Sequence, residues 1–155
     1  MTALRRAEPE DANSVARLCV HVQGWHAAHY PKVFFPEPDP GALASHFAER
    51  LRDPSVTCFL AGDPALGYAL CALQVRPLSV FSPPTRRLMI DHIGVAPQAR
   101  RQGIGRALLA AARALARDQA CDEVMLDTWE ANHAAHSFFE ATGFAVRRML
   151  YRALP

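Results

Sequence analysis

The sequence predicts a single domain of the α/β (α+β) class, with helices on both faces of a mixed, mostly antiparallel sheet of six to seven strands. Half of the 155 residues are hydrophobic and 21% are charged, an ordinary balance for one globular domain. Short apolar runs of strand length alternate with segments of helical period. The strands come first as a meander and then alternate with helices, without an internal linker, so we expect one domain over residues 1–155.

The N-terminal half predicts two helices and three strands. Val15, Leu18 and Val22 recur at helical spacing, and Asp39-Pro40 is a typical helix start because Asp caps and Pro fits the first turn. The predicted elements are a strand at Thr2–Ala7, a helix after Asp11, an irregular loop from Trp25 to Pro40, a helix ending at Asp53-Pro54, and a hairpin of strands at Val56–Ala61 and Leu66–Arg76.

The C-terminal half alternates strands and helices. Its longest helix places Ile104, Leu108 and Leu115 on one face and Arg113 and Arg117 on the other. After a loop at Pro77–Thr85, the predicted elements are a strand at Arg87–Val95, a helix at Gly103–Gln119, a strand at Val124–Thr128, a helix at Asn132–Thr142 stopped by Gly143, and a last strand at Phe144–Tyr151.

Charge and cysteine usage narrow the class of protein. The formal charge of +2 is too weak for a dedicated nucleic-acid binder, and no apolar run has the length of a membrane span. The N-terminus lacks the apolar core of a signal peptide. The four cysteines are scattered, and His133 and His136 lack partners for a metal site. We therefore expect a reduced, cytoplasmic protein with no metal, no nucleic-acid partner and no membrane partner.

The start of the long helix has the composition of an anion site. Gly103 and Gly105 lack Cβ atoms, so a ligand can approach the free N–H groups of the first turn, where the helix dipole is positive. The segment has no Walker motif, and Leu108 stands where a dinucleotide fingerprint has its third glycine or alanine. A tight turn without a ligand is the alternative interpretation.

Two motifs make a family resemblance specific. Ile93 to Gly105 reads I-x-V-x-P-x-x-R-x-x-G-x-G, and Asn132 to Phe144 reads N-x-x-A-x-x-F-F-x-x-x-G-F. These segments resemble motifs A and B of the GNAT superfamily of acyl-CoA N-acyltransferases, in the order and at the separation that the family shows. The resemblance is specific from Arg87 onward. It implies a transferase that passes an acetyl group from acetyl-CoA to a primary amine by direct attack in a ternary complex.

The same resemblance implies how acetyl-CoA, the co-substrate, would bind. Main-chain amides at the start of the long helix would hold the pyrophosphate, and the pantetheine arm would lie in a V-shaped splay between the fourth and fifth strands. Gly94 suits a bulge that opens the splay. The residues implied in coenzyme binding are Ile93, Gly94, Val95, Arg100, Arg101, Gln102, Gly103, Ile104, Gly105, Arg106, Asn132, Phe138 and Phe139.

Candidate catalytic residues follow from the need to deprotonate the amine. Asp91 shares strand parity with Ile93 and is our first candidate for the base, and Glu130 is the second. The alternative interpretation of Asp91 is a solvated or capping residue at the end of the sheet, and His92 is expected to point to the opposite face. The family's acid is a tyrosine at the position of Phe139. A CoA-binding module with weak or no activity is therefore the alternative function.

The acceptor and the oligomeric state are not encoded in any pattern that we recognise. The loop from Trp25 to Pro40 is rich in aromatic residues and histidines, which suits an amphipathic amine, a polyamine or a peptide N-terminus, and equally suits a packing lid. A homodimer is possible, because dimers are common in proteins that this chain resembles.

Overall fold

The computed structural model describes residues 2–155 and follows the predicted order of elements as far as the last helix. This part of the chain contains four α-helices and five strands. They are β1 (Leu4–Arg6), α1 (Ala12–His29), α2 (Pro40–Arg52), β2 (Val56–Ala61), β3 (Gly67–Arg76), β4 (Thr85–Val95), α3 (Ile104–Asp118), β5 (Glu123–Met125) and α4 (His133–Ala141).

The strands form one mixed sheet in the order β1-β2-β3-β4-β5. The first three pairings are antiparallel, and β5 runs parallel to β4. The mixed, mostly antiparallel character is as predicted, whereas the count within residues 2–155 is five strands rather than six to seven. The missing strand is the C-terminal one.

Residues 144–155 form neither helix nor strand, so the prediction of a strand at Phe144–Tyr151 is wrong. Leu150 and Tyr151 are 98% and 83% exposed. A strand is stable only where its N–H and C=O groups pair with a neighbour, and within residues 2–155 no strand pairs with this segment. An ion pair between Arg147 and Glu123 holds its first part beside β5.

Two apolar layers confirm that helices cover both faces of the sheet. On one face α3 and α4 pack over the strands through Ile104, Leu108 and Phe139. On the other face α1 and α2 bury Val15 and Phe47 among residues of β2 and β3. The sheet therefore lies between two layers of helices.

Helix α1 extends into the segment that the sequence predicts as an irregular loop with a short helical turn around His26 to Tyr30. α1 continues to His29, so Trp25 to His29 are helical and the connecting loop is Tyr30 to Asp39. Asp39 caps α2 as predicted, since its carboxylate accepts from the N–H of Ala42 at 2.7 Å.

Two further findings bear on the sequence analysis. No helix within residues 2–155 is both long and apolar enough to cross a membrane. All four cysteines are free thiols, and Cys71 is fully buried, which raises the pKa of its thiol to about 12. Cys71 is therefore a core residue, and a thiol so rarely ionised is a poor nucleophile.

Candidate active site

The turn before α3 presents unshared main-chain N–H groups to solvent. Arg101 and Gly103 both take left-handed conformations, with φ of 65° and 83°, and Gly103 is the N-cap of α3. Within residues 2–155 no side chain caps this helix, and a Cβ at Gly103 would have open space around it. The first N–H groups of α3 therefore remain available to an anion, at the positive end of the helix dipole.

Arg100 to Gln102 are exposed along this turn. The guanidinium of Arg100 donates to the carbonyl of Val95 at 3.5 Å, and the amide of Gln102 donates to the carbonyl of Gln98 at 3.2 Å. These contacts tie the turn to the end of β4. They place the basic side chains at the rim of the turn and leave its main chain uncovered.

The absence of a side chain at Gly105 allows α4 to pack closely on α3, in addition to allowing a ligand to approach. A Cβ there would lie 3.0 Å from Cζ of Phe138 on α4. The missing side chain thus lets α4 approach the first turn of α3, and the ring of Phe138 forms one side of the candidate anion site. The sequence predicts a role for Gly105 in ligand access only, and the tertiary contact adds this second reason.

The sheet opens beside this turn. β5 pairs with β4 only from Arg87↔Glu123 to Met89↔Met125, whereas β4 continues to Val95. Beyond Met89, β4 therefore has no strand partner on its β5 side in the described part of the chain. This is the expected splay between the fourth and fifth strands, and it leaves free edge groups of β4 next to the start of α3.

The bulge lies at Asp91 and not at Gly94. Leu70 pairs with His92 and Cys71 with Ile90, so Asp91 is the extra residue on β4, whereas Gly94 pairs regularly with Tyr68. Gly94 is needed for a different reason: a Cβ there would lie 2.8 Å from Cγ2 of Val22 on α1. The glycine allows α1 to pack closely on the strand.

This bulge overturns the predicted parity of β4. A bulge shifts the alternation of side chains by one residue. Ile93 packs on the layer of α3, whereas Asp91 forms an ion pair with Arg50 of α2, with 2.5 Å between Oδ2 and Nη2. His92 contacts Phe47 of α2 at 5.5 Å between ring centroids. Asp91 and His92 therefore both face α2, contrary to the expectation that they point to opposite faces.

His92 is a half-buried histidine among other basic groups. Burial lowers its pKa, Asp91 raises it, and His46, Arg50 and His26 lower it further. Its Nδ1 lies 3.4 Å from the hydroxyl of Tyr68. The neutral ring is favoured at pH 7, so one of its nitrogens can accept a proton.

An aromatic cluster borders this region, and we call it the aromatic mouth: Trp25, His26, Tyr30, Phe34 and Trp129. The rings of Tyr30 and Trp129 are 4.4 Å apart, those of His26 and Phe34 4.8 Å, and those of Phe34 and Trp129 5.3 Å. The cluster joins the end of α1 to the loop before α4. Burial lowers the pKa of His26, so this histidine is also favoured in its neutral form.

The loop and helix after β5 hold the other predicted residues. Glu130 is exposed next to Trp129. Asn132 caps α4, accepting from the N–H of Ala135 at 3.2 Å. Phe139 is buried in the core, with an exposed fraction of 8%, and its ring packs against Phe144. Of the three, Glu130 alone is exposed.

The structure thus brings together the start of α3, the free edge of β4 and Phe138, and it places Asp91 and His92 at the bulge. Sequence reasoning missed Arg50 and His46, which border the bulge from α2. Arg50 and Asp91 are 41 positions apart, so no local pattern indicates their contact.

A comparison with protein families identifies the fold. The sequence profile of the Acetyltransferase (GNAT) family matches residues 22–144. The chain belongs to the GNAT acetyltransferase family. The match includes β4, α3 and α4, and therefore both motifs found in the sequence.

Two curated proteins are similar in sequence to part of this chain. The chain is 35% identical over 122 residues to mycothiol acetyltransferase of Salinispora tropica, covering 74% of this chain and 38% of that protein. It is 39% identical over 80 residues to aminoglycoside N(6')-acetyltransferase type 1 of Klebsiella aerogenes, covering 52% of this chain and 51% of that protein. The alignments thus span about half or less of these relatives' length.

Solved structures support the α+β GNAT fold over nearly the whole chain. A mutant of the BH1408 protein from Bacillus halodurans has a TM-score of 0.89 at 23% identity, covering 99% of this chain and 98% of that one. Aminoglycoside N-acetyltransferase AAC(6')-Iy in complex with CoA has a TM-score of 0.76 at 20% identity, covering 99% and 95%. At these identities the likeness concerns the fold.

Proposed function

We propose that this protein is a single-domain N-acetyltransferase that passes the acetyl group of acetyl-CoA to a primary amine by direct attack. The observation that carries the proposal is the uncapped first turn of α3 beside the unpaired edge of β4. The first feature suits a diphosphate and the second suits an extended amide chain, and CoA contains both. The family supports the same assignment.

The coenzyme would bind along these two features. N–H groups from Gln102 to Arg106 would hold the diphosphate, with Arg100 and Arg101 as counter-charges at the rim. The free edge of β4 from Ile93 to Val95, including Gly94, would pair with the pantetheine amides. The chain fits such a ligand because the space that a Cβ of Gly103 would occupy is open. Ile104, Phe138, Phe139 and Asn132 would support this wall, the last as the cap of α4.

The base must remove a proton from the amine, because an ordinary alkylamine has a pKa of about 10.4 and is almost wholly protonated at pH 7. Forming the neutral amine at this pH costs about 4–5 kcal/mol. We propose Asp91 as the first base and Glu130 as the second. Asp91 lies at the bulge, where Arg50 orients its carboxylate. His92 is a further candidate at the same bulge, since its lowered pKa keeps the ring neutral.

The variants Asp91→Asn, His92→Gln and Glu130→Gln separate these candidates. Loss of the base should lower kcat strongly at pH 7 and less at pH 10, where more of the amine is already neutral. Loss of a residue that only packs should lower kcat equally at both pH values. The bulge assignment is contradicted if Glu130→Gln alone shows the pH-dependent loss.

The leaving thiolate has no tyrosine at the family's position, which is Phe139 here and is buried. A thiol has an ordinary pKa of about 8.5, so its anion leaves with modest help and water can protonate it. Solvent protonation predicts that kcat is insensitive to Tyr151→Phe, His136→Gln and Ser137→Ala, three changes that remove other proton donors from the C-terminal part of the chain.

The acceptor is proposed to be a small-molecule amine. The relatives' names include an aminoglycoside acetyltransferase and a mycothiol acetyltransferase, and the aromatic mouth offers flat rings for a sugar or another amphipathic amine. Glu130 is exposed next to Trp129 of the mouth, and a carboxylate there suits a cationic acceptor.

Two measurements test the proposal against the alternative of an inactive CoA-binding module. Calorimetry with CoA and acetyl-CoA tests binding, and release of free thiol with a panel of aminoglycosides, polyamines and peptides tests transfer. Binding with acceptor-dependent thiol release supports the enzyme. Binding without thiol release for any amine supports the module, and no heat with either coenzyme form refutes both.

A further inference from the structure

Tyr68 of β3 is the buried neighbour of His92. It pairs with Gly94 of β4, and a Cβ at Gly94 would lie only 3.0 Å from Cε1 of the tyrosine ring. The glycine therefore lets this ring cross the face of β4 toward His92, which stands two positions earlier on the same face. The hydroxyl of Tyr68 comes to lie 3.4 Å from Nδ1 of His92.

A second partner of the Tyr68 hydroxyl lies on α1. Cys19 belongs to the same buried apolar layer as Tyr68. Burial raises the pKa of the Cys19 thiol, and a hydrogen bond from the Tyr68 hydroxyl lowers this pKa. Burial also raises the pKa of Tyr68 well above its usual value, so the phenol keeps its proton. A buried hydroxyl needs an acceptor for that proton, and the two acceptors beside it are His92 and Cys19.

The direction of this one proton decides which nitrogen of His92 can act as a base. If the hydroxyl donates to Nδ1, the neutral ring carries its own proton on Nε2, and neither nitrogen can take a proton from a substrate. If the hydroxyl donates to Cys19, Nδ1–H donates to the Tyr68 oxygen and Nε2 stays unprotonated. An O–H donor normally lies within about 3.0 Å of its acceptor, so the separation of 3.4 Å favours the second arrangement.

We propose that Tyr68 is a positioning residue for acetyl transfer, which holds the proton of His92 on Nδ1 while Cys19 accepts the proton of the Tyr68 hydroxyl. The inference rests on the proposed function, with His92 as the base at the bulge. The acceptor's ammonium group would give one proton to Nε2, and the neutral amine would then attack the thioester. The resulting imidazolium would keep its Nδ1–H bond to Tyr68 and return the extra proton to water.

The surroundings of His92 keep its ring ready to accept a proton. Besides Tyr68, the titratable and charged groups around it come from α1, α2 and β4, namely His26, His46, Arg50 and Asp91. Burial lowers the pKa of His92 most, the acidic group raises this pKa, and the three basic groups lower it. Asp91 is itself paired with Arg50 at 2.5 Å. Tyr68 is therefore the group that meets Nδ1.

Nitrogen-15 NMR on the full-length protein, without coenzyme or acceptor, measures the tautomer of His92, and His92→Gln assigns its signals. We expect the proton on Nδ1 at a pH above the pKa of the ring. Cys19→Ala removes the acceptor of the Tyr68 proton, so the hydroxyl should turn to Nδ1 and shift the ring proton to Nε2. Cys19→Ser keeps an acceptor and should keep the tautomer. Cys58→Ala is the matched control, because that thiol is buried in the same layer but donates to the carbonyl of Phe59.

Transfer kinetics test whether Tyr68 acts through His92. Tyr68→Phe keeps the buried ring and removes the hydroxyl, and it should lower kcat roughly tenfold at pH 7 and less at pH 10. In a His92→Gln background the same change should have no further effect, because a residue that acts through His92 loses its role with it. Urea denaturation measures any loss of packing separately.

Four results overturn the proposal. They are a proton on Nε2 in the unmodified chain, an equal effect of Cys19→Ala and Cys58→Ala on the tautomer, a kcat unchanged by Tyr68→Phe, and a loss with Tyr68→Phe that persists in the His92→Gln background. Calorimetry with CoA identifies a failure of the proposed function itself. Absence of coenzyme binding would refute the enzyme, whereas the tautomer would still show whether Tyr68 sets the proton of His92.

Discussion

A single negative charge at the start of α3 gives the sharpest test of the coenzyme site. The comparison is Gly105→Glu against Gly105→Gln, two side chains of equal shape. Both add a Cβ 3.0 Å from Cζ of Phe138, so the half-buried ring must move by a few tenths of an ångström. Replacing this helical glycine with Glu or Gln recovers about 0.5 kcal/mol of helix propensity, which offsets part of this strain. We therefore expect both variants to fold with nearly unchanged stability.

The difference between the two variants isolates charge. A carboxylate about 7 Å from a diphosphate with two negative charges is repelled by about 1–2 kcal/mol at effective dielectric constants of about 40–80. This corresponds to a Kd about five- to thirtyfold weaker for Gly105→Glu than for Gly105→Gln. The helix dipole favours Glu at this position, so the repulsion should appear in binding and not in folding.

Calorimetry with CoA on the two variants and the unmodified chain measures the effect. The gap between Glu and Gln should narrow as salt is raised from about 50 to 500 mM, because ions screen an exposed charge. Equal dissociation constants for Glu and Gln, or affinities unchanged from the unmodified chain, would refute the placement of the diphosphate at this turn.

Three further predictions concern the bulge, the packing of α1 and acid stability. Asp91→Asn should lower kcat more at pH 7 than at pH 10, as pH–rate profiles will reveal, and a uniform loss would assign Asp91 to structure. Gly94→Ala should reduce the free energy of unfolding in urea by about 1–3 kcal/mol, because its Cβ would lie 2.8 Å from Cγ2 of Val22. Arg5 lowers the pKa of Asp11 from 3.8 to about 2, mainly by hydrogen bonding. Because the pKa of Asp11 is lower in the folded state, its pairing with Arg5 stabilises the fold by about 1 kcal/mol, a value discounted for exposure. This stabilisation is present above pH 4 and is lost as the pH falls through 2. In the variant Asp11→Asn this loss of stability at low pH should be absent, as urea denaturation at a series of pH values will measure.

Much of the fold follows from local patterns. The spacing of Val15 and Leu18 and the Asp39 cap identify helices because side chains a few positions apart meet on one face or bond the next turn. The glycines before and within α3 likewise identify an open helix start. These features depend on neighbours along the chain, so the sequence is sufficient to locate them.

The remaining features depend on contacts between distant segments. The bulge at Asp91 reverses the parity of β4, and no residue type at that position announces it, because register is set by the pairing with β3. The contact between Gly105 and Phe138 depends on where α4 packs. An apolar alternation near the C-terminus predicts a strand, but a strand also requires an edge to pair with.

The amino-acid order by itself determined which segments are helical, where an anion can meet bare main-chain amides, and which family the motifs resemble. The tertiary structure alone decided that Asp91 and His92 both face α2, that Arg50 orients the first of them, and that the last residues leave the sheet. The physical reason is range: propensity and capping act within a few residues, whereas strand register, helix packing and edge pairing are fixed only when distant surfaces meet.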